Sequence, residues 1–519
     1  MLSSFGVNHI DLAGSSDEAM EKCRFNFYDI ILCDFNLGHG KNGQQILEAL
    51  KLSKRVKHTQ LFIMITAETA KDVVLGAREF QPDAYIAKPI TRSVLEKRLS
   101  NLIKQQQLLK PINREIELEN YAKAISLCHQ KIDQKDKYQS WCYQTLGSLY
   151  LKVGDAVNAK KVYQTILNNR ELPWALLGLG QAMLINQEYQ SAISIFENTL
   201  KLNSNLLEAY DGLAECYIKL NHTKRAQDIL QEAVSLSPRL IPRQEKLGSL
   251  SRHNQDIATA TQAYRTAIRF GEHSIHDKPE IYLNLGRCLA EWSEDDLSPE
   301  GKGRAAEAID VLEKTIHKFT MNEDACVNAT LIEARVYSGQ RQASEAENKL
   351  HYAESTLEED AISAEVGLEL AKTLFTLKQS ARAEALLIRL AKKFADDAAV
   401  IAQIESLLDE PESLLARKQA KDLNRKGIAL FEQGQLDAAA DAIETALSFT
   451  PRHAALNLNL IQVLLKKYES TADKNILIKA KTCLKTIQHI PEQHNQFKRM
   501  MHVAKTINNL LDSATAGTK

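Results

Sequence analysis

One small residue returns at a nearly constant interval through the middle of this chain: alanines stand at 159, 192, 226 and 260, that is 33, 34 and 34 residues apart. Around them large apolar residues fall at helical spacing, as in Tyr143, Leu146-Gly147, Tyr150 and Tyr163, and again in Tyr210, Leu213-Ala214, Tyr217, Leu230 and Ala233. A unit of this length holds two amphipathic helices, and neither can bury its apolar stripe alone, so neighbours must stack. The alanine has a steric reason. Where helix axes approach to about 8–10 Å, only a small side chain lets the backbones meet. A bulky residue at Ala226 is expected to overpack that crossing at a cost of about 1–3 kcal/mol.

These residues resemble the helix-turn-helix unit of tetratricopeptide repeat proteins. Further copies follow at Tyr282, Leu285-Gly286 and Ala308, at Tyr337 and Ala346, at Leu370-Ala371 and Ala383, and at Gly427, Gly434, Ala439 and Ala446, with a divergent one at Ala480. The packing set is therefore Ala159, Ala192, Ala226, Ala260, Ala308 and Ala439. Ser293 to Gly303 reads as an enlarged turn, Ala398 to Leu408 as an additional helix, and Asp409-Glu410-Pro411 as a break. Phe497 to Leu511 reads as a capping helix ahead of a frayed tail, 512–519. The resemblance implies an all-α, right-handed solenoid over 139–511. Its concave surface, built from the first helix of each repeat, would take a peptide or helix of an unknown protein partner.

The first hundred residues have a different period. Ile30-Ile31-Leu32-Cys33 runs into Asp34 and then the glycine-rich stretch Gly38 to Gly43, with a helical pattern over Gln44 to Lys51. Leu61 to Ile65 ends in Thr66, and Ala84 to Ala87 ends in Lys88-Pro89. Short apolar runs separated by helices predict buried parallel strands, and ligands of such sheets sit at the strands' carboxyl ends. An acid, a hydroxyl and an amine thus close three successive strands on one edge.

In these residues the chain resembles the receiver domain of bacterial two-component response regulators, over roughly 1–105. The resemblance implies an α/β flavodoxin-like fold in which Asp34 is the phosphoacceptor for a histidine kinase or phosphotransfer protein. It implies that Lys88 pairs with the phosphoryl oxygens, that Thr66 swings towards them, and that Tyr85 follows inward. Asp34 and the Asn36 backbone carbonyl would be Mg2+ ligands, and Lys88-Pro89 would be a cis peptide. Val7 to Ala13 alternates like the family's second strand and Ser16 opens its second helix. The family's first strand is then missing, together with the acidic pair that holds the metal. We expect that Met1 is not the biological start and that an upstream segment supplies that strand.

Two more helices complete this part, one over Ala70 to Phe80 and a longer one over Thr91 to Leu109 with Leu95, Leu99, Leu102 and Ile103 on one stripe. Proline disfavours helix in the residue before it, so Pro111 predicts a joint, and 106–138 reads as a linker helix and degenerate first repeat.

Several function classes fall away. A formal net charge of −1 supplies no field for nucleic acid or an anionic membrane. No apolar run reaches the length needed to span a bilayer, and no cationic, apolar leader opens the sequence, so the expected location is cytoplasmic. Eight cysteines without a CxxC pair suggest neither zinc nor a disulfide framework. Gly38-His39-Gly40-Lys41-Asn42-Gly43, with Glu68 ending the next strand, has the outline of a dinucleotide fingerprint. Its first glycine arrives four residues after Asp34, however, and that reading leaves Thr66 and Lys88 unexplained. The histidines show no HExxH spacing and no nucleophile elbow is present. Two classes remain: a phosphorylated switch acting through the repeat array, and a constitutive scaffold with a vestigial receiver. Neither is an enzyme beyond the receiver's own phosphoryl transfer.

Overall fold

The computed structural model describes residues 2–7, 9–67, 82–135, 137–357, 362–407, 414–449, 453–471, 473–487 and 496–516. Three parallel strands, β1 (Ile30–Asp34), β2 (Leu61–Thr66) and β3 (Ala84–Ala87), lie in the order β1-β2-β3. Helices α1 (Ser16–Phe25) and α2 (Gly43–Leu52) cover one face, where Cys23, Ile46, Leu47 and Leu50 meet Cys33, Phe62 and Met64. The other face takes α3 (Arg92–Glu117) and a 3-10 turn at Leu2–Phe5, which close over Ile63 and Ile86. With both faces covered and a strand on each side, β2 is buried from Leu61 to Met64.

Residues 9–13 form no strand, against the alternating pattern of Val7 to Ala13. Ile10 is exposed and Leu12 is 80% exposed. In the 2-1-3-4-5 order a strand here pairs only with one lying between it and β1, and the described residues contain no such strand. Without a ladder partner its backbone groups are better satisfied by water. The outer edge of β1 correspondingly stays half-buried at Ile30, Ile31 and Leu32. Glu68 and the helix expected over Ala70 to Phe80 lie outside the described residues.

Pro111 is a second departure, because α3 runs through it without ending. Proline inside a helix removes one hydrogen bond, here to the Gln107 carbonyl, and costs about 3 kcal/mol. On either side of it Leu109 is 1% exposed and Ile112 fully buried. Burying two such side chains contributes about 1.5–3 kcal/mol each, enough to keep the helix continuous. Ile112 already belongs to the helical core, packing with Ala124, Cys128, Cys142 and Leu146.

From there α4 (Tyr121–Asp133) leads into helical hairpins: α5 (Gln139–Lys152) with α6 (Ala156–Leu167), α7 (Pro173–Ile185) with α8 (Tyr189–Leu202), and α9 (Leu207–Lys219) with α10 (Thr223–Leu236), and α11 (Ile241–His253) opens the next. Helices α12 (Ile257–Gly271), α13 (Pro279–Ser293), α14 (Pro299–Lys318) and α15 (Glu323–Gly339) complete a compact unit, residues 1–342. The turn expected over Ser293 to Gly303 is shorter, since α14 already starts at Pro299. Proline has no amide to lose at a first helical position, and the Ser298 hydroxyl caps the helix by accepting from the Gly301 amide at 3.1 Å.

The second unit, residues 343–519, contains α16 (Ala343–Ser355), α17 (Ala364–Thr376), α18 (Ser380–Lys393), α19 (Ala398–Leu407), α20 (Leu414–Glu432), α21 (Leu436–Phe449), α22 (Ala454–Thr471), α23 (Lys474–Thr486) and α24 (Phe497–Ala516). The last runs five residues past the expected end at Leu511, and Asp409 to Pro411 lie outside the described residues. Ala439, Ile443, Leu460, Ala480 and Ile507 share its largest core.

All six marker alanines, Ala159, Ala192, Ala226, Ala260, Ala308 and Ala439, are fully buried. The glycines beside them have a complementary task. A Cβ on Gly147 of α5 would lie 2.4 Å from the Tyr163 ring of α6, and one on Gly178 of α7 would lie 2.2 Å from the same ring. Phe196 of α8 stands likewise between Gly180 and Gly212. Each ring therefore interlocks two successive first helices. Gly178→Ala should lose about 1–3 kcal/mol in denaturant unfolding of the full chain. Gly303→Ala, in open space on α14, should instead be neutral or gain up to about 1 kcal/mol.

Candidate functional site

The register fixes which side chains meet at the carboxyl edge. Asp34 is opposite Ile65 on β2, and Ile65 is opposite Ile86 on β3, while Thr66 pairs with Ala87. Lys88 follows directly, and its amide donates to the Thr66 carbonyl at 2.8 Å, so the ends of β2 and β3 stay zipped past the last paired residue. Asp34, Thr66 and Lys88 thus stand on one edge, as the sequence predicts.

Asp34 and Lys88 form an ion pair through Oδ2 and Nζ, with side chains 31% and 43% exposed. The other carboxylate oxygen, Oδ1, accepts from the Asn36 amide at 3.2 Å. Thr66 is 8% exposed. Tyr85, one position before Ile86, packs its ring against the core under α1 and α2. The Lys88-Pro89 peptide is cis. Burial, reinforced by the Asp34 carboxylate, pushes the neighbouring Cys33 thiol up to about 12. It stays protonated at neutral pH, so Cys33 offers no thiolate beside the Asp34 carboxylate.

The loop after Asp34 is shaped by close approach. The Phe35 carbonyl accepts from the Gly43 amide at 2.9 Å, folding the loop back on itself. A Cβ on Gly43 would stand 2.3 Å from the Asp34 carbonyl oxygen. Gly38 and Gly40 have φ of +82° and +89°, a region that glycine enters without strain. The glycines of the nucleotide-like pattern thus serve the turn and the approach of α2 to the strand. Asn42 and Gln45 then close a capping box, each side chain bonding the other's amide at 2.9 Å.

Magnesium prefers six oxygens in near-octahedral array, commonly with one or two carboxylates among them. Among the described residues no group of three His, Cys, Asp or Glu side chains could hold a metal ion. Among the described residues Asp34 and the Asn36 carbonyl, which the resemblance names, supply one carboxylate and one carbonyl, well short of six oxygens.

Sequence reasoning passed over Gln45, Glu48 and His276. The Gln45 amide donates to the carbonyls of Phe270 and Glu272 at 3.2 and 3.1 Å, and Glu48 pairs with His276 at 2.6 Å. The Asn42-x-x-Gln45 spacing could have flagged the cap, whereas nothing local announces partners more than 200 residues away.

Residues 1–100 match the family model of the response regulator receiver domain, and residues 183–239 and 424–470 match tetratricopeptide repeat models. The chain carries a receiver domain followed by tetratricopeptide repeats. Over 105 residues it is 25% identical to the chemotaxis protein CheY of Pseudomonas aeruginosa, covering 20% of this chain and 83% of that protein. Over 225 residues it is 24% identical to the Drosophila melanogaster BBSome complex member BBS4 homolog, covering 41% of this chain and 43% of that protein. The chain thus spans less than half the length of the Drosophila relative. Among solved structures, a tetratricopeptide repeat protein from Parabacteroides merdae matches at 13% identity and a TM-score of 0.34, over 51% of this chain and 97% of that one. YrrB, described as a repeat protein with an unusual peptide-binding site, matches at 18% and 0.30, over 37% and 90%. Among the described residues no helix is long and apolar enough to cross a membrane.

Removing the amine tests how the edge is held. A half-exposed pair contributes at most about 1 kcal/mol, so Lys88→Ala should keep the fold and nearly all its stability. Gly43→Ala, which forces backbone apart, should cost about 1–3 kcal/mol more in the same denaturant titration.

Proposed function

We propose that this chain is a two-component response regulator in which a histidine kinase or phosphotransfer protein phosphorylates Asp34, and that the modification changes protein binding by the repeat array. The observation that carries the reading is the Asp34–Lys88 pair at a strand edge shared with Thr66. In the transfer, an Asp34 oxygen bonds to phosphorus as the donor's N–P bond breaks, and the electron pair returns to the leaving imidazole nitrogen. The product carries close to two negative charges where one stood. Lys88 moves its bonds from the carboxylate to the phosphoryl oxygens, where charge-assisted contacts are strong. The Thr66 hydroxyl donates to the same group and Tyr85 follows into the space it leaves. Beyond this self-phosphorylation and its reversal the chain is not an enzyme, and its setting is the cytoplasm.

The groove reading is supported by side chains of successive first helices. Arg243 of α11, its side chain 1% exposed, is bonded to Asp211 of α9 at 2.6 Å, and Lys246 pairs with Glu215 on the same two helices. Such pre-paired charges hold a polar surface in one geometry, which suits a peptide or helix from another protein. The scaffold alternative is favoured because, among the described residues, Asp34 has no second carboxylate beside it to help hold a metal. Incubation of the full chain with acetyl phosphate and magnesium chloride, followed by intact-mass measurement, separates the two. One phosphoryl group should be taken up by the wild type and none by Asp34→Ala; a wild type that takes up none is a scaffold.

A further inference from the structure

The contact between α2 and the loop joining α12 to α13 links parts of the chain 225 residues apart. It has the character of a built interface. On the loop side, Asp277 accepts from the His273 amide at 3.1 Å and from the Tyr282 hydroxyl at 2.9 Å, and pairs with Lys318 at 2.7 Å. The Ser274 amide donates to the Gly271 carbonyl at 2.9 Å, and the Ser274 hydroxyl accepts from the His276 amide at 3.1 Å. The carbonyls of Phe270 and Glu272 are therefore presented by a braced loop. On the receiver side, Gln45 uses its amide oxygen in the α2 cap and its amide nitrogen on both carbonyls. One turn further along α2, Glu48 meets His276, with side chains 15% and 19% exposed.

The receiver is also anchored at the start of the array. α3 carries the chain directly into it, the Thr59 amide donates to Glu117 at 2.6 Å, and Lys54 pairs with Glu119 at 2.8 Å. Helices α4 to α12 thus lie between two points that the same receiver holds. Each repeat of a solenoid contacts only its neighbours, so its curvature is soft and a tie between distant repeats constrains it strongly.

We infer that α2 is a clasp which fixes the curvature of the α4–α12 stretch, and that the state of Asp34 sets whether the clasp holds. The second clause rests on the phosphorylation reading above. The link is short: the Asp34 backbone oxygen abuts Gly43, and Gln45 is two residues further on. Phosphorylation that rearranges the loop over 35–42 disturbs the cap, and the cap shares Gln45 with the clasp. A phosphoryl group can shift the clasp only by stabilising one state over the other, so the effect is measurable as a population.

The experiment is hydrogen exchange with mass spectrometry on the full chain, following residues 43–52 and 270–278. Without phosphate, Glu48→Ala and His276→Ala should each speed exchange in both segments about tenfold, the scale of one lost charge-assisted bond. The swap Glu48→His with His276→Glu should restore slow exchange. Unchanged exchange in both single variants overturns the clasp. With acetyl phosphate and magnesium chloride, exchange at 270–278 should change in the wild type and not in Asp34→Ala. Phosphate on Asp34 with no change at 270–278 overturns the link while leaving the phosphorylation reading intact. No phosphate uptake overturns both that reading and the link, and the variants still decide the clasp.

Discussion

The burial of Leu109 and Ile112 on either side of Pro111 is the contact on which the first unit depends. Upstream of it α3 packs Leu95 and Leu99 on the sheet; downstream it supplies Ile112 to the first helical core. One helix therefore belongs to two kinds of structure. Had the proline ended it, sheet and repeats would be joined by a flexible segment, and the receiver would have no fixed direction from which to reach the α12–α13 loop. A cost of about 3 kcal/mol in the helix interior is offset because both apolar neighbours are removed from water.

What was legible in the sequence follows the same physical division. The marker alanines could be read because close helix crossings demand a small residue at a fixed interval, and all six are buried. Asp34, Thr66 and Lys88 could be read because a strand's end is marked by where its apolar run stops, and their shared edge is what the register shows. Those are local signals with a period or a boundary. Val7 to Ala13 had the period of a strand, but pairing is a property of two segments, and the alternation alone could not supply the second. Pro111 and Pro299 had local meanings that context reversed, one by burial and the other by the first-turn position. The pairing of Gln45 and Glu48 with the α12–α13 loop had no local signature at all.

The site also shows how a glycine pattern can be shared by unrelated tasks. Gly38, Gly40 and Gly43 satisfy a phosphate-cradling spacing, yet two of them turn the chain at positive φ and the third lets a helix touch the strand's last carbonyl. The geometric demand is close backbone approach, common to both uses. What differs is the company kept at the neighbouring strand ends, where a hydroxyl and an amine stand beside Asp34, as the proposed phosphoryl transfer requires.

The ring-and-glycine interlock redraws where one repeat stops and the next begins. Tyr163 needs Gly147 and Gly178, and Phe196 needs Gly180 and Gly212, so α7 carries a socket for the ring before it and another for the ring after it. A splice made in the loops between hairpins would part a ring from one of its sockets. A splice at Leu179, between the two, keeps each ring with both. The transferable module of this array therefore begins and ends in the middle of a helix, and recombination that respects helices would break what recombination within them preserves.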